Sequence, residues 1–429
     1  MKLHALFLCL ALPPLLCLRA EDPYEQAPIF YSQTQPRDAA QRLEKLMREG
    51  KADVDRTDAW TVLRDLLRHL QIPEESQVMV FSKTSKQNDR IHPQTPRVVY
   101  FGDEAYIGYC LGGSIEVAAL DPRLGPVFYL LDPYVDEKQP LHFQRDASCL
   151  SCHGGVFSPG VPGVLVRSVF PGPEGHPIMS QGSTVVDSTT PFESRWGGWY
   201  VTGRHGDSHH RGNVTATELP GNSCDMPVEK GANVTSLTAF FDTSAYPRAT
   251  SDIIALMVLE HQTGVQNTLT KANHGSLRAM HMQTSLQREL GEPVLEEPIG
   301  TALRIIEHCA EDVLDALLFK DEAPLPEGGI EGDGAFQAAF LKKARRNADG
   351  RSLRDFQLHT RLFKYRCSYM IHSLTFEHLS PPLKQRVLAR LAAVLDGADT
   401  SGRHDHLGAS ERRHIRAILG DLLPPPVEG

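Results

Sequence analysis

Cys149-Leu150-Ser151-Cys152-His153 places two thiols three residues apart, with an imidazole directly after the second. On one turn of helix or a tight loop, two such thiols can each add to one vinyl group of a porphyrin. The adjoining imidazole then lies beneath the iron as its proximal ligand. With 8 Cys and 19 His in 429 residues, such a pattern arises by chance in about 0.7% of cases. A zinc half-site and a thioredoxin-like dithiol share the spacing, but zinc needs two further ligands and a catalytic dithiol opens a helix after a strand. The pattern predicts one covalent haem c on Cys149 and Cys152, with His153 as iron ligand.

The flanking residues suit a flat macrocycle. Gly154-Gly155 and Ser158-Pro159-Gly160-Val161-Pro162-Gly163 lack bulk, and Val164, Leu165, Val166 and Val169 offer an apolar lining. Arg167 and Arg195 are candidates to pair with the haem propionates, a plain salt bridge being the alternative for each. Chemistry then turns on the position opposite His153. A strong second ligand suits electron transfer, and an open position admits a small oxidant. His261, in an apolar helical stripe with Ile254, Val258, Val265 and Ala272, is the favoured ligand; a core histidine bonded to a carbonyl is the alternative. Met179 lies downstream in the order small cytochromes use, although gap-filling methionines are common. Arg204 to Asn213 holds His205, His209 and His210, which offers a distal ligand, a proton donor, a second metal site or a solvated loop.

The elements that must position these groups fall into an α+β pattern. Helical periodicity covers Ala39 to Arg48 and Trp60 to Leu70. Short runs rich in β-branched and aromatic residues follow at Val78–Phe81, Val98–Phe101, Ala105–Tyr109, Ile115–Leu120 and Val127–Leu130, which predicts a small antiparallel sheet or meander. Residues 21–131 form this mixed part, and 132–247 form a loop-rich, cytochrome c-like haem region. Residues 248–429 read as helical, beginning with an N-cap at Thr250-Ser251-Asp252 and a helix to about Ala272. Further helices are expected at Gly300–Phe319, Gly334–Arg346, Ser352–Tyr369, Pro382–Leu395 and Ser410–Leu422.

Residues 1–20 read as an export signal: Lys2, an apolar run from Leu6 to Leu16 too short to span a bilayer, and small Ala20 at the cleavage position. A periplasmic or secreted location follows, with no transmembrane segment. Cys110, Cys224, Cys309 and Cys367 then remain outside the haem motif, as disulfides or as buried thiols. The net charge of −9 and the lack of a basic cluster argue against nucleic acid as a partner.

Several motifs resemble those of a known family. They are Phe81-Ser82-Lys83-Thr84-Ser85 with Asn88-Asp89-Arg90-Ile91, Val127-Phe128-Tyr129, Arg195-Trp196-Gly197-Gly198-Trp199-Tyr200-Val201-Thr202-Gly203, Leu259-Glu260-His261-Gln262, and Leu362-Phe363-Lys364-Tyr365 with Cys367-Ser368-Tyr369. With the haem motif they are similar to secreted, single-haem, cytochrome c-like proteins of environmental bacteria. The resemblance implies a cytochrome c-like region embedded in a larger protein and implies no substrate. The expected function is electron transfer through one haem, to a redox partner protein or a small-molecule oxidant. A haem-dependent oxidase, peroxidase or oxygenase with an open iron position is the alternative, and a haem-based sensor or a subunit of an exported complex is the third reading.

Overall fold

The computed structural model describes residues 22–423 apart from Glu137 and Val156. The expected export signal lies outside the described residues. The α+β class is as the sequence predicts, with a seven-stranded antiparallel sheet toward the N-terminus and helices toward the C-terminus.

Helices α1 (Ala39–Arg48) and α2 (Ala59–His69) start where Asp38 and Asp58 accept backbone N–H groups of the first turn, at 2.9 Å from Gln41 and 2.8 Å from Trp60. The sheet follows: β1 (Val78–Val80), β2 (Arg97–Phe101), β3 (Ala105–Tyr109), β4 (Ile115–Asp121), β5 (Gly125–Leu131) and β6 (Gln144–Arg145). Its spatial order is β6-β5-β4-β3-β2-β1, completed by β9 (Trp199–Tyr200) against β1. Strand period two divides the core. Val98, Tyr100, Ile107, Val117 and Tyr129 face α1 and α2, whereas Val99, Phe101, Tyr106 and Leu120 face the C-terminal helices.

After α3 (Leu150–His153), the middle of the chain makes two small hairpins, β7 (Arg167–Val169) with β8 (Ser183–Val185) and β10 (Thr217–Leu219) with β11 (Ser223–Asp225). The Trp196-Gly197-Gly198 turn feeds β9 into the sheet. Gly197 lies against the Val169 carbonyl, where a Cβ has no room, and Gly198 sits at φ +88°. That close approach accounts for the paired glycines.

Helix α4 (Ile253–Glu289) is 37 residues long and begins at the expected cap, with Asp252 Oδ2 accepting the Ala255 N–H at 2.9 Å. It runs well past Ala272. Gln283 and Gln287 bind the returning segment at Leu295, Glu297 and Ile299, which supports the extra turns. Helices α5 (Gly300–Leu317), α6 (Gly334–Leu341), α7 (Leu374–Glu377), α8 (Pro381–Leu395) and α9 (Ala409–Leu419) complete the C-terminal part.

The expected helix at Ser352–Tyr369 is absent. Gln357 Oε1 accepts the N–H groups of His359, Thr360 and Arg361, so a side-chain turn replaces the helical ladder. Phe356 instead bridges back to Phe363, and both join an aromatic cluster with Phe340 and Tyr369. None of Cys110, Cys224, Cys309 and Cys367 forms a disulfide, and Cys110 and Cys367 are buried thiols. Among the described residues no helix is long and apolar enough to cross a membrane.

Candidate functional site: the Cys149–His153 turn clamped by a distant helix

The Cys149–His153 motif sits on one short helical stretch. Asp146 caps it, accepting Ser148 N–H and Oγ–H at 2.9 and 2.7 Å. Lys86 holds Asp146 in an ion pair and donates to Ser148 Oγ at 2.8 Å; the Lys86 bond keeps the Asp146 carboxyl below its usual range. The 3-10 turn Ala147–Cys149 then runs directly into α3. Residues three apart on such a turn lie on one face, which sets Cys149 and Cys152 side by side. Both are free thiols, Cys149 half-buried and Cys152 exposed. Burial pushes the Cys149 thiol up to about 11, so it is protonated at neutral pH.

His153 is oriented from two sides. Its ring lies 4.7 Å from Phe128 of β5, on the sheet face shared with Tyr106 and Ala118. Its Nδ1–H donates to the Gly163 carbonyl at 2.8 Å, and Gly163 N–H returns a bond to the His153 carbonyl at 2.8 Å. Because a carbonyl only accepts, Nδ1 carries the proton and the Nε2 lone pair stays free. Burial lowers the His153 pKa, which holds the ring in the neutral, metal-ligating form.

The Gly163 carbonyl is itself held by α4. Asn267 accepts at 3.1 Å from Val164 N–H, which shares a peptide with that carbonyl, and donates to the Val164 carbonyl at 2.8 Å, gripping both polar groups of one residue. Gly163 is required there, since a Cβ would lie 2.7 Å from Asn267 Oδ1. The chain Asn267–Val164–Gly163–His153 is an outer shell of the kind that fixes a ligand imidazole. Sequence reasoning missed Asn267, Phe128 and Lys86. The available signal for Asn267 was an amide on an otherwise buried helix face, which must find a polar partner.

Arg167 lies beside the motif. Its guanidinium stacks 3.8 Å over the Phe157 ring, Nη2 donates to Ser183 Oγ at 3.0 Å, and it interacts electrostatically with His153 and Cys152. Its Nε is buried without a hydrogen-bond partner. An orphaned cationic donor next to the attachment turn matches a propionate. The donor set therefore fits haem c: two reachable thiols, a neutral imidazole with free Nε2, and an unpaired guanidinium N–H.

Arg195 and the Nε2 atom of His261 are committed elsewhere. Arg195, 2% exposed, ion-pairs with Glu260 of α4 and donates Nε–H to the Thr190 carbonyl at 2.8 Å, while Trp196 Nε1 binds the second Glu260 oxygen at 3.1 Å. The sealed pair leaves no guanidinium for a propionate, which corrects that expectation. The His261 ring stacks on Phe319 at 4.3 Å, and its Nε2 bonds to Ser368 Oγ at 2.8 Å. Its neighbours Phe319, Phe363 and Tyr369 belong to the C-terminal aromatic cluster, and it shares no contact with His153, so the structure does not bring the expected distal ligand to the motif. Only Nε2 is satisfied, by a hydroxyl in place of the carbonyl; Nδ1 is buried without a hydrogen-bond partner, and the residue lines a cavity shared with Pro159.

Met179 is 80% exposed. In the His-rich stretch, His205 and His210 are buried with rings 4.8 Å apart, packed on Phe192; His210 also packs on Trp196. His205 Nε2 accepts Asn233 N–H and His210 Nδ1 accepts Gly212 N–H, each at 3.0 Å, so both act as loop pins. Among the described residues no three His, Cys, Asp or Glu side chains are grouped to hold a metal ion.

Comparison with protein-family models, with curated proteins and with solved structures finds no match for this chain, and the family resemblance rests on the motifs quoted above.

Proposed function

We propose that the chain is an exported c-type haem protein that transfers electrons through a single haem c, tethered at Cys149 and Cys152 and ligated by His153. The observation that carries this reading is the His153 Nδ1–H bond to Gly163, which leaves Nε2 as a preset ligand one residue from the second thiol. The haem would supply one-electron chemistry at the iron. The protein's own residues hold the imidazole neutral and aimed, Arg167 offers a cation for a propionate, and exposed Cys152 keeps the attachment edge at the surface, where a redox partner can approach. The export reading adds a periplasmic or secreted location, where thioether formation takes place.

The test is expression in a host competent for cytochrome maturation. The expected product is red, heavier than the mature polypeptide by one haem, and colourless after Cys149→Ala/Cys152→Ala. A colourless wild-type protein at bare polypeptide mass overturns the proposal.

One observation favours a second reading. His261 Nε2 is bonded to Ser368 and its ring is stacked on Phe319 rather than near His153, Met179 is exposed, and His205 and His210 pack on each other. An iron without a strong sixth ligand suits a haem-dependent oxidase, peroxidase or sensor. Carbon monoxide separates the two: a low-spin ferrous spectrum indifferent to the gas supports electron transfer, and a high-spin form that binds it supports catalysis or sensing.

A further inference from the structure

A cavity of about 540 Å³ opens where α1, the end of α2 and the β2–β3 turn meet the segments at 343–354 and 369–374. That volume falls within the range of small-molecule sites. Its wall is apolar: Leu43, Leu70, Leu353 and Met370 are buried along it, and Leu46, 41% exposed, carries apolar surface out to the rim. Its charges are unbalanced. Arg42 pairs with Glu104, and buried Arg354, stacked on Phe340 and Tyr369, holds Asp103 at 2.8 Å. Lys343 pairs only with the same Asp103, at 3.6 Å, and Arg345 has no ion-pair partner among the described residues. Four cations thus face two carboxylates in a chain whose net charge is −9. His372, at the same cavity, feels the imbalance: burial first, then Arg345 and Arg354, push it down to about 4, with no carboxylate acting against them.

We propose that this cavity binds a small aliphatic carboxylate, its chain on the leucine wall and its head group against Arg345 and Lys343. Arg345 offers one planar fork of N–H donors, which matches a single carboxylate. Lys343 adds a second cation, since the Asp103 it approaches is already bonded by Arg354. An uncharged ligand of the same length would leave Arg345 unpaired, and a head group without a chain would leave the apolar wall uncovered. None of these residues belongs to the Cys149–His153 site, so carboxylate binding stands or falls apart from the haem.

Isothermal titration calorimetry on the mature protein tests this with sodium octanoate, octan-1-ol and sodium acetate. Octanoate is expected to bind with a Kd below about 1 mM, and octanol and acetate about tenfold more weakly or worse, each lacking one part of the recognition. Arg345 is exposed and unpaired, so its replacement should leave the fold intact. Arg345→Glu should weaken octanoate binding about tenfold. Arg278→Glu makes the same charge reversal at an exposed α4 position outside the cavity and should leave the affinity within about twofold. Absence of octanoate binding up to about 10 mM overturns the proposal. So does octanol or acetate binding as tightly as octanoate, or an equal effect of Arg345→Glu and Arg278→Glu.

Discussion

Replacing Asn267 by Ala tests the link between α4 and the attachment turn. Two hydrogen bonds to Val164 disappear, leaving a half-buried N–H and C=O without their partner. At about 1 kcal/mol each, the loss is about 2 kcal/mol, or a fall in Tm of about 4 °C at the response of a large domain. This part is read on the apo chain, with Cys149 and Cys152 replaced by Ala, and needs no cofactor. In the haem-loaded protein the Gly163 carbonyl loses its brace, and the bond it accepts from His153 weakens. A weaker Nδ1–H bond makes the imidazole a poorer donor to ferric iron, so the reduction potential should rise. If about half the lost energy is felt at the ligand, the rise is about 40 mV for a one-electron couple. Spectroelectrochemistry reads the potential, and differential scanning calorimetry reads the Tm. A Tm fall with a potential within about 10 mV of wild type would refute the relay through Gly163 and reduce Asn267 to a packing residue.

Gly163→Ala should reproduce the same pair of effects from the other side of the contact, at about 1–3 kcal/mol, because its Cβ would press on Asn267 Oδ1; unaltered urea unfolding would contradict it. Arg167→Gln removes a cation beside the haem motif and should lower the potential on the order of tens of millivolts; a rise or no change in titration would remove Arg167 from the site. Glu260→Gln leaves the Arg195 guanidinium buried without its counter-ion and should cost about 3–5 kcal/mol in denaturant unfolding, against little change if the pair is dispensable. Burial depresses His261 and His210 to about 3 and His274 and His372 to about 4. Their folded pKa values lie below the unfolded 6.5, so the unfolded chain binds more protons in that window. Their contribution is complete above pH 6.5 and is lost as pH falls toward 3–4, at about 1.4 kcal/mol per pH unit for each histidine. Urea midpoints measured from neutral to mildly acidic pH should show a steep decline, and a flat profile would contradict the buried neutral rings.

Much of the fold was legible because its information is local. The Asp252 cap, the β-branched and aromatic runs from Val78 to Leu130 and the Cys149–His153 spacing each depend on residues a few positions apart. The covalent chemistry expected of the motif is of the same kind, since thiol spacing is set within one helical turn. The helix expected at Ser352–Tyr369 failed because Gln357 captures three backbone N–H groups, a choice that propensity does not encode.

What tertiary structure alone decided is which polar group meets which. His261 and Arg195 were reasonable haem contacts by residue type, yet their partners Ser368 and Glu260 lie 107 and 65 residues away in sequence. Asn267, an amide on a buried helix face, reaches 103 residues back to brace the turn that holds His153. Hydrophobic periodicity states which side of an element is buried, but it carries no address for the buried polar atoms. Those must each be satisfied, and the partner is chosen only when distant segments pack together.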